Sequence, residues 1–339
     1  MLDQNYSLIS SSRILNHQVA SLLLYQSIFD DSVGHAFVNL LNSFHYSEEG
    51  SSSYLLPSVI CLQAYGDWFK KLARVGYSWP EYLIRQILVN DNPFSQQVQN
   101  RSWDDLPLSL IVAVKNDLQT LQGIYSCTTE KISQWVKTAS QLPFQPIFWD
   151  LPWQDKESYF LLNYDNWADA VPELGAFYRQ HGAGIYAEYQ AFCWQKNGLG
   201  GIRNADVVEL DSLVGYEAQK AVLVKNTEFL LAGYAALNVL LYGSRGSGKS
   251  SLIKGLLSRY AGEGLRLVEV SKSHLGDLPI IMDKLANLSQ KFIIFVDDLS
   301  FEEDDDSFKA LKVVLEGGLT RKPQNVVVYA TSNRRHLIR

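Results

Sequence analysis

At 339 residues, with 47% apolar and 12% aromatic content, the chain has room for two domains, each with a core of its own. A net charge of -6 argues against a surface that embraces nucleic acid throughout. No apolar stretch is long enough to span a membrane, and the polar start Met1-Leu2-Asp3-Gln4 lacks the basic and apolar regions of a signal peptide, so a cytoplasmic protein without a membrane partner is expected.

Cys61, Cys127 and Cys193 are odd in number and widely spaced, with no His at ligand spacing. Neither a disulfide framework nor a zinc site is suggested, and buried thiols are expected. Residues 1–180 hold 18 acids against 11 bases, whereas residues 181–339 hold 18 against 19. The acidity belongs to the N-terminal part, and no Lys/Arg stripe marks the C-terminal part as basic.

All eight tryptophans lie at or before Trp194, a composition shift that separates two differently built regions. The expected division is a mainly helical N-terminal domain over residues 1–177 and an α/β domain over 178–339. In the first, Phe37, Leu40, Leu41 and Phe44 keep helical spacing, as do Ile111, Val114, Leu118, Leu121 and Tyr125, and these stripes predict core-facing helices. His45 to Ser53 reads as a polar loop and Asp91-Asn92-Pro93 as a breaker. The Pro- and aromatic-rich stretch from Gln141 to Trp153 reads as a packed irregular connector.

The second region alternates. A helix is predicted over Glu217–Ala232, a strand over Asn238–Tyr242, a helix over Lys249–Tyr260, a strand over Leu265–Val270 and a helix over Leu278–Ser289. A strand over Lys291–Val296, a helix over Ser307–Glu316 and a strand over Asn325–Ala330 follow. Such alternation predicts a parallel sheet covered on both faces, with ligands at the C-terminal edge of the strands.

Chemistry enters at Leu240 to Ser251, LLYGSRGSGKSS. From Gly243 through Ser244, Arg245, Gly246 and Ser247 to Gly248, Lys249 and Ser250 the chain matches G-x-x-x-x-G-K-[ST] without a mismatch, and Ser251 follows. This is the pattern of a phosphate-binding loop. Glycine is expected there so that the backbone can curl around a β-phosphate with no Cβ displacing the amides. Lys249 would meet the β- and γ-phosphates, and Ser250 would ligate Mg²⁺. The run Phe292 to Val296 ends in Asp297 and Asp298, as a Walker B strand does. Asp297 is expected to hold the same Mg²⁺, and Asp298 to polarise the attacking water, one methylene shorter than the usual Glu.

Two further segments resemble the AAA+ ATPases. Thr331-Ser332-Asn333 ends the strand NVVVYATSN, and Asn333 resembles sensor 1, a residue that orients water near the γ-phosphate. Leu213-Val214-Gly215-Tyr216-Glu217 resembles the segment bordering the adenine, which places Gly215 at the cofactor. More narrowly, GYEAQKAVLVKNTEFLLAG, NVLLYGSRGSGKSSLIKGLL, FVDDLSFEEDDDSFKALKVVLEGG and NVVVYATSNRRHL resemble a bacterial family of AAA+-like ATPases that carries a domain of unknown function. That resemblance runs from about Tyr178 onward, and the Asp-Asp form of Walker B is typical of the family. It implies a parallel-sheet P-loop NTPase fold and an ATPase using ATP and Mg²⁺, without naming a client.

The acidic run Glu302 to Asp306 precedes a predicted helix, where carboxylates favour the helix dipole. The alternative is that Glu302 assists or replaces Asp298. Arg334 and Arg335 read either as arginine fingers reaching a neighbouring subunit's γ-phosphate or as surface arginines, and Arg321 is a further candidate. Only six residues follow Asn333, where an AAA+ module needs a last strand and a helical lid, so a C-terminally truncated domain is expected. The leading expectation is an AAA+-type ATPase that remodels a protein or nucleic-acid client and forms a homo-oligomer at full length. A slow nucleotide-dependent switch or loader is the alternative, and a P-loop small-molecule kinase is disfavoured by Asn333.

Overall fold

The computed structural model describes residues 2–44, 55–153, 156–196, 198–299 and 323–333. The chain divides into two compact units, one of Met1–Gln97 with Arg101–Gly175 and the other of Val98–Asn100 with Ala176–Arg339.

The first unit is helical. It is built from α1 (Leu2–Ser21), α2 (Ser32–Ser43), α3 (Leu55–Val75), α4 (Trp79–Val89), α5 (Pro93–Asn100), α6 (Leu108–Tyr125), α7 (Thr129–Ala139) and the start of α8 (Val171–His181). Side chains supply the starts: Asp31 accepts from the amides of Val33 and Gly34, Ser78 from Glu81, and Thr128 from Lys131. Asn92 and Ser95 form a reciprocal capping box, so the expected breaker before Pro93 is the N-terminus of a helix. The stripe Phe37, Leu40, Leu41 and Phe44 is wholly buried, with the Phe37 ring 4.2 Å from that of Trp79 and 5.7 Å from that of Trp68. On α6, Val114, Leu118 and Leu121 are buried as expected, and Ile124 is buried where Tyr125 is only half-buried. The connector over 141–153 has no regular structure, yet the Tyr65 hydroxyl donates to the Ile147 carbonyl at 2.7 Å and Trp149 Nε1 to that of Tyr77 at 3.0 Å. The polar loop expected over residues 45–53 lies outside the described residues.

One carboxylate interrupts the apolar stripe of α6. Asp117 is fully buried and accepts from the amides of Leu23, Leu24 and Tyr25 at 2.7–3.2 Å, satisfying the backbone that leaves α1. Asp117→Ala leaves these amides unpaired in the interior and is expected to cost about 3 kcal/mol, with Asp117→Asn losing less because one acceptor remains. Urea unfolding monitored by circular dichroism checks this. A midpoint shared by wild type and Asp117→Ala would show that the amides find other partners.

The second unit adds α9 (Ile185–Glu188), β1 (Ala191–Gln195), β2 (Gly198–Ile202), α10 (Glu217–Leu231), β3 (Val239–Tyr242) and α11 (Lys249–Tyr260). It continues with β4 (Leu265–Glu269), α12 (Leu278–Ala286), β5 (Lys291–Val296) and β6 (Val326–Ser332). The sheet order is β2-β1-β4-β5-β6-β3, and every adjacent pair is parallel except β1 with β2. The expected α/β architecture with a mainly parallel sheet is therefore present, after a mainly helical N-terminal region. Four strands were expected over the described residues and six are found, because the β1–β2 hairpin extends the sheet beyond β4.

Period-two alternation divides the strands between two buried faces. Phe292, Ile294 and Val296 of β5 join Val326, Val328 and Ala330 of β6 against Leu278, Ile281, Met282 and Leu285 of α12. Ile293, Phe295, Val327 and Tyr329 face the other way, onto Leu223 and Leu230 of α10 and Ile253, Leu256 and Leu257 of α11. Burial on both faces explains why these strands read as unbroken apolar runs. Helix α12 stops at Ala286, short of the expected Ser289, and the Asn325 amide then donates to the carbonyls of Leu285 and Leu288, both at 2.9 Å. No helix among the described residues is long and apolar enough to cross a membrane.

Candidate functional site

β6 lies between β5 and β3, so the ends of all three strands meet at one edge of the sheet. β3 runs into Gly243 and the loop closes on α11, whose first residue is Lys249. Gly246 has φ +78° and Gly248, the residue capping α11, has φ +81°. A Cβ at either would meet no protein atom within 4 Å, so glycine is required here by the left-handed backbone rather than by crowding within the protein. Arg245 is exposed, and Ser251 sits half-buried in the first turn of α11. The loop therefore presents amides and a helix N-terminus together, an arrangement that attracts anions.

Two short networks join the loop to the other strand ends. Lys249 Nζ donates to the carbonyls of Gly243 at 3.1 Å and Ser244 at 2.9 Å, and reaches Asn333 Oδ1 at 3.2 Å. The Asn333 amide in turn donates to Asp298 Oδ1 at 2.6 Å. In the second network Ser250 Oγ donates to Asp297 Oδ1 at 2.8 Å, and the Thr331 hydroxyl donates to the same oxygen. Lys249, Asn333 and Asp298 are thus joined in one hydrogen-bonded chain and Ser250 with Asp297 in another, the two meeting at the adjacent pairs Lys249-Ser250 and Asp297-Asp298. Both carboxylates are exposed, whereas Thr331 is buried.

Asp298 has φ +51°, a left-handed conformation uncommon for a residue with a Cβ. Its amide donates to Thr331 Oγ1 at 2.9 Å, and the next amide, Leu299, donates to the Thr331 carbonyl at 2.7 Å. Thr331 was missed as a site residue in the sequence, although it stood in the quoted segment. No signal in the sequence singled it out: its place follows from strand register, one step beyond Ala330, which pairs with Val296, the residue before Asp297.

Gly215 stands outside these networks. With φ +92° it precedes Tyr216, also left-handed at φ +58°, in the turn that opens α10. Beyond that turn, Ala218, Gln219, Val222 and Leu223 of α10 and Val239 and Leu241 of β3 line a mainly apolar cleft of about 300 Å³. Arg334, Arg335, Arg321, Glu302 and the predicted helix over Ser307–Glu316 lie outside the described residues.

A larger cleft of about 720 Å³ opens by the C-terminal end of α11, beside Arg203, Asp206, Ser258 and the buried Arg266. The Arg266 guanidinium donates to the carbonyls of His181, Tyr186, Ala261 and Leu265, and burial lowers its pKa to about 10. Those bonds fasten the end of α8 and the turn after α11 to β4. This cleft shares no lining residue with the phosphate loop, and its size carries less weight than the chemistry gathered at the strand ends.

Over residues 187–339 the chain is similar to the family described as "Protein of unknown function (DUF815)". That match covers a little under half of the sequence. No curated protein matches it. Among solved structures, the AMPPCP-bound DnaA of Aquifex aeolicus is similar at 16% identity and a TM-score of 0.27, over 37% of this chain and 42% of that one. The chain thus spans less than half the length of that protein.

Proposed function

We propose that the second unit binds ATP with Mg²⁺ and hydrolyses it, as an AAA+-type ATPase. The observation that carries this reading is the convergence of Lys249 and Ser250 from the loop with Asp297, Asp298 and Asn333 from two neighbouring strands, closed by the Ser250–Asp297 and Lys249–Asn333 bonds. The loop amides and the start of α11 receive the β- and γ-phosphates, and Lys249 adds a positive charge. Ser250 and Asp297 offer hard oxygen donors, which fit Mg²⁺, and would hold it together with phosphate oxygens. The metal, when bound, neutralises charge that builds on the phosphates. Asp298 orients and deprotonates the attacking water, and Asn333 positions Asp298 through the 2.6 Å bond to its carboxylate. The apolar cleft between α10 and β3 is proposed to take the adenine, with Gly215 at its border.

The helical unit is proposed to recognise the client, a protein or nucleic acid, in the cytoplasm. Arg334 and Arg335 are proposed to act in trans within a homo-oligomer. The same bond from Asn333 to Asp298 favours a second reading, a switch that holds ATP and hydrolyses it slowly, because a base engaged by an amide is less free to take a proton. Phosphate release from Mg²⁺-ATP by the full chain separates the two. Turnover several-fold above a Lys249→Ala control supports the ATPase, binding with less than one turnover per hour supports the switch, and neither binding nor release refutes both.

A further inference from the structure

We propose that Thr331 is the positioning residue that sets both acids of the site, resting on the nucleotide-binding reading above. Its hydroxyl has one proton, which it gives to Asp297 Oδ1, and its oxygen accepts the amide of Asp298 at 2.9 Å. One buried hydroxyl is therefore bonded at once to the carboxylate proposed to hold the metal and to the backbone of the residue proposed to activate water.

The consequences differ for the two partners. Asp297 Oδ1 receives hydroxyl protons from both Ser250 and Thr331, so the orientation of that carboxylate is fixed from two sides before it acts. Losing one donor frees it to rotate, and a carboxylate that must be reoriented binds a divalent cation less well. Asp298 is held in a left-handed conformation that a residue with a Cβ adopts at a cost, and its amide bond to Thr331 is one of the contacts that hold it there. The Leu299 amide and the Ser332 hydroxyl, which bond the carbonyls of Thr331 and Leu299 respectively, brace the same turn from the backbone side. Removing the hydroxyl alone thus loosens the acids while leaving the strand paired.

The test compares the full chain as wild type, Thr331→Val and Thr331→Ser. Binding of a fluorescent ATP analogue is followed as Mg²⁺ is titrated, phosphate release is measured, and the melting temperature is recorded on the same samples. Thr331→Val is expected to raise the Mg²⁺ concentration at half-maximal effect roughly tenfold and to slow phosphate release by a similar factor, the size usual for outer-shell partners of a metal site. Thr331→Ser restores both, since it keeps the hydroxyl and loses only a methyl group, and nucleotide affinity without Mg²⁺ is the same in all three. An unshifted Mg²⁺ midpoint in Thr331→Val, or a shift that Thr331→Ser fails to reverse, overturns the proposal even where the melting temperature falls, because a purely structural role moves stability alone. If Thr331→Val does not fold, Thr331→Ala takes its place. A wild type that binds no nucleotide overturns the nucleotide reading and this inference with it, whereas a wild type whose nucleotide binding and hydrolysis ignore Mg²⁺ overturns this inference and leaves nucleotide binding standing.

Discussion

Lys249→Ala is expected to lower ATP affinity at least tenfold. The substitution removes the one side-chain cation that the loop motif places on the β- and γ-phosphates, and a charge-assisted contact of this kind is worth about 2 to 3 kcal/mol. It also removes the bonds from Nζ to the carbonyls of Gly243 and Ser244, so part of the effect could come from a loosened loop. Lys249→Gln separates these contributions, since its amide can still donate to the carbonyls but carries no charge. If charge dominates, Gln binds ATP nearly as weakly as Ala. Calorimetry giving equal affinities for wild type and Lys249→Ala would remove the loop from the site.

Asp298→Asn is expected to leave ATP bound and to reduce its hydrolysis by about a hundredfold or more, the usual contribution of a positioned general base. The amide is nearly isosteric with the carboxylate, but it cannot take a proton from water. Asp297→Asn should behave differently, weakening Mg²⁺ dependence and hydrolysis together, because it alters a proposed metal ligand that Ser250 and Thr331 both address. The measurement is single-turnover hydrolysis with bound nucleotide counted in parallel. Wild-type rates in Asp298→Asn would place the base elsewhere, and Glu302 would be the next residue to substitute.

The parts of this fold that the sequence shows best are those where two signals coincide. The start of α11 and the limits of β5 are read directly, one from Gly248 and Lys249 in a rigid motif and the other from an apolar run that ends abruptly in two acids. The β1–β2 hairpin was missed because Gly198-Leu199-Gly200-Gly201-Ile202 has almost no strand propensity. The Asn197-Gly198 dipeptide before it is nevertheless a hairpin signal, and Gly198 does adopt φ +111°. Close approach supplies a further reason at one position: a Cβ at Gly201 would come within 2.4 Å of the Tyr189 ring, so glycine stands where an aromatic side chain lies against the strand.

At the site, motif spacing pointed to Lys249, Ser250, Asp297 and Asp298 and a resemblance to sensor 1 pointed to Asn333, and these residues lie together at the strand ends. Spacing could not single out Thr331, because Thr331, Ser332 and Asn333 are all polar and only strand register says which of them meets Asp297. Ser332 turns the other way in its role, donating to the Leu299 carbonyl at 2.7 Å, while Asn333 reaches across to the loop lysine. Nor could spacing reveal that Asp298 is left-handed, which follows from the turn that Thr331 and Leu299 close around it.

The most direct measurement is calorimetric titration of the full chain with ATP in the presence and absence of Mg²⁺. If the loop, Ser250 and Asp297 form one site, a single nucleotide should bind per chain, more tightly with Mg²⁺ than without it, and Lys249→Ala should abolish most of the heat. Binding that is absent at millimolar ATP, or equally strong with and without Mg²⁺ and indifferent to Lys249, would contradict a Mg²⁺-ATP site at these strand ends.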